Sequence, residues 1–80
     1  MTIEYDTCGT CARHISIEVN DGIISDVRFH GGCHGNTQGI SALTKGMKVI
    51  DVIERCKGIR CGAKATSCPD QLAQALSQTL

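Results

Sequence analysis

The chain has 80 residues, of which 41% are apolar and 20% charged, and eight Lys+Arg balance eight Asp+Glu. That length makes a single domain, residues 1–80, with a modest core, because a chain this short buries only about 60% of its unfolded surface. Zero formal net charge argues against a nucleic-acid partner, and the lack of any apolar run near ~18 residues, or of a signal-peptide pattern, argues against a membrane span or export.

In chain order, residues 1–31 read as strands and residues 36–80 as helices. Thr2 to Tyr5 suits an edge strand. Ile15, Ile17 and Val19 then alternate with His14, Ser16 and Glu18, the period of a half-buried strand. After Asn20-Asp21-Gly22 a second run carries Ile23, Val27 and Phe29 on one parity. A loop of three residues, Asn20-Asp21-Gly22, is expected, because it sets Val19 against Ile23, Ile17 against Ser25 and Ile15 against Val27. A turn of two residues, Asp21-Gly22, mixes the faces.

Ile40 and Leu43 suit a short helix after Asn36 that ends near Gly46. Val49, Val52, Ile53 and Cys56 fall at i, i+3, i+4, i+7 and give a second helix that ends near Gly58. Ser67-Cys68-Pro69-Asp70 fits a capping box, with Pro69 in a first turn, and opens a third helix. Leu72, Ala73, Leu76 and Leu80 are its apolar stripe. The expected architecture is α+β in two layers: a three-stranded antiparallel sheet from the N-terminal half, with about three helices packed on one face.

Cysteine is the compositional outlier, six in 80. With no export signal a cytoplasmic setting fits, and clustered thiols there point to metal or redox chemistry. Cys68 opens a helix, where the dipole and free amides favour a thiolate; the alternative is an inert buried thiol. Cys33 sits in Gly31-Gly32-Cys33-His34-Gly35-Asn36, where glycines let backbone amides fold around one sulfur. The alternative is a plain strand-to-helix turn. Cys61 lies in the loop before the last helix, as a ligand or a spectator.

Cys8-Gly9-Thr10-Cys11 is a CxxC, which can be half a zinc site, a redox pair or chance. It leads into a strand rather than starting a helix, which weakens the redox reading, and no second CxxC completes a zinc ribbon. Cys56 continues an apolar stripe and reads as a packed core residue. His34 is a ligand or a solvated loop residue. His14 and His30 belong to the polar face of the hairpin.

The string Thr66-Ser67-Cys68-Pro69-Asp70 spells out the motif of the TSCPD domain family. Gly9-Thr10-Cys11, Phe29-His30-Gly31-Gly32-Cys33-His34-Gly35-Asn36, Gly58-Ile59-Arg60-Cys61-Gly62 and Asp70-Gln71-Leu72-Ala73 resemble that family too. Such domains occur as small stand-alone bacterial proteins and at the C-terminus of adenosylcobalamin-dependent ribonucleotide reductases. The resemblance implies Cys11, Cys33, Cys61 and Cys68 as the family cysteines and leaves Cys8 and Cys56 outside the set. A more distant likeness joins the chain to IscU-type iron–sulfur scaffold proteins, whose three cysteines fall by order on Cys11, Cys33 and Cys68. Here Arg13 stands where the scaffold has an aspartate and Ser67 where it has a histidine, and Cys61 adds a fourth sulfur.

With the ligand set that the resemblance implies, Cys11, Cys33, Cys61 and Cys68, the expected function is that of a small metal-binding module. Zinc is the first expectation, because four thiolates with no open position suit a closed structural site and a small core gains from a metal staple. An iron–sulfur cluster is the second. The resemblance implies a role beside ribonucleotide reduction, with a reductase (ribonucleoside-diphosphate reductase) as a partner. A whole reductase does not fit in this chain. Two other classes stay open: a thiol/disulfide component that supplies electrons to a reductase, and a protein-interaction domain whose cysteines are merely buried.

Overall fold

The computed structural model describes residues 1–9, 12–32 and 34–78. Three strands, β1 (Thr2–Asp6), β2 (Ala12–Asn20) and β3 (Ile23–Gly31), form one antiparallel sheet in that order. Three helices follow: α1 (His34–Thr44), α2 (Val49–Cys56) and α3 (Cys68–Ser77). This is the expected α+β order.

Alternation along the strands builds the core. Ile15, Ile17 and Val19 of β2 and Ile24 and Val27 of β3 are buried on one face, where they meet Val49 and Val52 of α2 and Leu72, Ala75 and Leu76 of α3. Ile3 and Tyr5 extend this face from β1, opposite Ile17 and Ile15. In α1, Thr37, Ile40 and Thr44 recur at helical spacing and turn inward, and Ile40 packs on the core. Leu43 lies about a quarter turn off that stripe and is 78% exposed, although the short helix itself forms as expected.

The hairpin departs from the expected register. Asn20 pairs with Ile23 and Val19 with Ile24, which leaves a loop of two residues, Asp21-Gly22. Both take positive φ, 52° and 75°, the pattern of a type I′ turn whose twist matches the strands. A register shift then falls beside Ser25, so that Ile17 faces Val27 and Ile15 faces Phe29. The bulge absorbs one residue and moves the buried parity from Ile24 to Val27. The Ser25 hydroxyl donates to the Glu18 carbonyl (3.1 Å) and fills the gap in the ladder.

Past α1, Gly46 donates its N–H to the Ile24 carbonyl (2.7 Å) and Ile24 donates to the Met47 carbonyl (2.9 Å), so this segment covers the start of the β3 edge.

The opposite sheet face is polar, as its sequence implies. His14 stands between two carboxylates, with Nε2 2.6 Å from Glu4 Oε1 and Nδ1 2.7 Å from Asp6 Oδ1. Hydrogen bonds to Glu4 and then Asp6 raise its pKa above the usual imidazole value of 6.5. The stabilising contribution of this pair is therefore complete below 6.5 and is lost as pH rises through the raised pKa.

Two measurements check these assignments. An NMR titration should give His14 a midpoint above 6.5, and Glu4→Gln should lower it. In chemical denaturation, Gly22→Ala should cost about 1 kcal/mol, because a Cβ strains a backbone at φ 75° even in open space. Gly39→Ala, on the exposed side of α1 with nothing near its Cβ position, should instead gain up to about 1 kcal/mol.

Candidate functional site

The start of α3 is fixed by a closed set of hydrogen bonds made by the residues around Cys68. Ser67 is the N-cap, and its hydroxyl accepts from the Asp70 N–H (3.2 Å) and donates to the Ile59 carbonyl (2.7 Å). Only this half of the expected capping box forms. The Asp70 carboxylate instead accepts from the Gly58 N–H (2.7 Å), the Thr66 hydroxyl and the Gln74 amide (2.9 Å). Gln71 donates to Thr66 Oγ1 (3.0 Å) and accepts from the Cys8 N–H (3.1 Å). Thr66, Ser67, Asp70 and Gln71 are all buried. Among the described residues no buried side-chain polar atom lacks a partner.

This clasp binds three pieces of chain to one helix end. Gly58 and Ile59 tie down the loop after α2, and Thr66 with the Cys61 N–H to Thr66 carbonyl bond (3.2 Å) closes the loop that carries Cys61. Gln71 holds the backbone of Cys8. Gly9 sits against Thr66 so closely that a Cβ there would lie 3.0 Å from the threonine methyl. A Cβ on Gly32 would likewise lie 3.0 Å from the Ala12 nitrogen. Gly32 and Ala12 are the chain neighbours of Cys33 and Cys11.

Cys61 and Cys68 line one cavity of about 420 Å³. Pro69 and Lys64 share its wall, and Gly35, Asn36 and Gly39 of α1 form another part of the lining. Both thiols are free, Cys61 exposed and Cys68 half-buried. Cys11, Cys33 and the His34 side chain lie outside the described residues. Among the described residues, no three His, Cys, Asp or Glu side chains come close enough together to hold a metal ion. Cys61 and Cys68 are thus the described part of the expected ligand set.

The two cysteines outside the expected ligand set differ in burial. Cys8 is exposed. Cys56 is half-buried against the core, and burial pushes its thiol pKa up, which keeps it protonated and unreactive. His14 and His30 stay on the polar sheet face. Missed in the sequence were Thr66, Asp70 and Gln71 as clasp residues; the available signal was a polar run, Thr66-Ser67 and Asp70-Gln71, flanking Cys68 at a helix start.

The fold and this end of it define a small α+β domain that presents cysteines from loops and a helix start gathered by one buried polar clasp. The TSCPD domain family model matches residues 2–80, and the chain belongs to that family. No curated protein and no solved structure matches the chain, so no matched structure carries the likeness to iron–sulfur scaffolds.

The clasp makes acid stability a test. Hydrogen bonds from Thr66 and Gly58 hold the Asp70 carboxyl below the usual carboxylate range. Its contribution is present above the unfolded value near 3.8 and is lost as pH falls through the lower folded pKa. Asp70→Asn should therefore flatten the acid limb of the stability curve. Asp70→Ala should cost about 3 kcal/mol in denaturation at pH 7, since it orphans the buried Thr66 hydroxyl and Gly58 N–H.

Proposed function

We propose that this chain is a small metal-binding module with Cys11, Cys33, Cys61 and Cys68 as its ligands, zinc first and an iron–sulfur cluster second. The observation that supports it is that two of these thiols, Cys61 and Cys68, line one cavity beside the start of α1. The clasp adds support, because it ties the chain just before Cys11 to the helix that Cys68 opens. A donor set of soft sulfurs, with no carboxylate among the described residues of the cavity lining, suits zinc or an iron–sulfur cluster rather than a hard cation. The family's occurrence on adenosylcobalamin-dependent ribonucleotide reductases suggests an accessory role beside such a reductase. Free thiols on an open cavity suit a reducing, cytoplasmic setting. Among the described residues, no helix is long and apolar enough to cross a membrane.

A second reading rests on the same pair of free thiols. Cys61 and Cys68 would give up two protons and two electrons to an acceptor disulfide, such as one on a reductase, and close a disulfide of their own. The acceptor would leave as two thiols.

Anaerobic purification followed by elemental analysis and an absorption spectrum separates the readings. Colourless protein with one zinc per chain is the expected result; colour with iron and sulfide supports the cluster, and metal-free protein with titratable thiols the redox pair. Cys11→Ser should reduce metal content while Cys8→Ser leaves it unchanged. Ser67 caps α3, so Cys68→Ser keeps the cap and should leave the metal-free protein folded. In the loaded protein, chelator should lower the melting temperature by more than about 10 °C, and Cys68→Ser should abolish that difference.

A further inference from the structure

A second feature lies beside the thiols but does not depend on them. The cavity at Cys61 and Cys68 adjoins another of about 360 Å³, and the two share Ile40, Leu43 and Pro69 as common walls. Together they form an apolar groove between α1 and the α2–α3 pair, with Met47 and Ile59 further along it. The groove exists because α1 packs on β3 while α2 packs on α3, so the two helical units do not close on each other. Leu43 is 78% and Ile59 42% exposed at its mouth, although both are large aliphatic side chains.

Charge narrows what can enter. Among the described residues, the charged side chains on the lining are Arg55 and Lys64, both cationic. The chain is polarised in the same sense. Residues 1–31 carry five carboxylates against two cations, and residues 32–80 carry six cations against three carboxylates. One of those three, Asp70, is buried in the clasp.

A second copy of the chain fits poorly. Groove against groove would bring Arg55 and Lys64 toward their own images. The acidic sheet face of another copy has the right sign, but the large exposed apolar residues among those described are Met1, Leu43, Ile50 and Ile59, and the strand faces offer none.

We propose that this groove docks an acidic, amphipathic segment of a partner protein, its apolar side chains seated along Leu43, Met47, Ile59 and Pro69 and its carboxylates meeting Arg55 and Lys64. Apolar anchors supply affinity, and the sign of the rim supplies selectivity. The docked segment would run past the mouth that holds Cys61 and Cys68.

The test uses the full chain, isotope-labelled, and two short fluorescent peptides that share Leu and Phe anchors at helical spacing. One carries Glu at its remaining positions, the other Lys. The Glu peptide should bind at least about tenfold tighter than the Lys peptide and shift the NMR signals of Leu43, Met47 and Ile59. Leu43→Glu, at a position exposed enough to leave the fold intact, should weaken it about tenfold. Arg55→Glu should narrow or invert the preference between the peptides. Equal binding of both peptides, shifts confined to other surfaces, or no binding of the Glu peptide at millimolar concentration overturns the proposal. Sedimentation showing a dimer that Leu43→Glu abolishes also overturns it, because the occupant is then a second copy.

Discussion

The Asp70 carboxylate is the contact on which the arrangement of the helical half depends. It is buried and charged and accepts three hydrogen bonds, an N–H from Gly58, a hydroxyl from Thr66 and an amide from Gln74. A charge so placed costs several kcal/mol to desolvate unless its lone pairs are filled. The chain meets that demand with groups from three places: the end of α2, the loop before α3, and α3 itself. The carboxylate thereby dictates where the loop of residues 57–66 lies, and with it Cys61. Gln71 extends the same network to Cys8.

This explains why polar residues surround Cys68 in the sequence. Thr66, Asp70 and Gln71 direct their side chains into the clasp, Ser67 belongs to the clasp and also borders the cavity, and Cys68 and Pro69 line the cavity. The motif thus divides between positioning and presentation. In a domain this small the apolar core alone gives loops little support. A charged buried hydrogen-bond hub supplies the missing rigidity locally, where the thiols are presented.

Much of the fold was legible because it rests on local patterns. The alternation of Ile15, Ile17 and Val19, the i, i+3, i+4, i+7 spacing of Val49 to Cys56 and the Ser67 cap are each decided within a few residues. The hairpin register was not. Ile23 and Ile24 are adjacent and both apolar, so parity alone cannot say which faces the core, and Asp21 accepting φ 52° decided for the shorter turn. The clasp was hidden for a related reason. Asp70 three residues after Ser67 reads as a capping box, and its actual partners, Gly58 and Thr66, are set by tertiary packing. At the candidate site, Cys61 and Cys68, two of the four cysteines that the family resemblance implies, line one cavity. Cys11 and Cys33 fall outside the described residues, and their neighbours Ala12 and Gly32 lie so close that a Cβ on Gly32 would crowd the Ala12 backbone.

The completeness of the clasp bears on how a metal would act here. Zinc modules with almost no core fold only when the ion binds. This chain has a continuous apolar core from β2 through α3 and no unpartnered buried polar side-chain atom among the described residues. The start of α3 is therefore organised by protein groups alone, with Cys68 already aimed at the cavity. What a metal would add is a link from this preformed end to the remaining thiols, so its binding energy would add to a core that is already built. That is also the condition under which the neighbouring groove persists with or without the ion, since Ile40, Met47 and Ile59 are held by α1, the β3-edge segment and the loop end that Ser67 fixes. Docking and metal binding would then share an end of the molecule while remaining energetically separable.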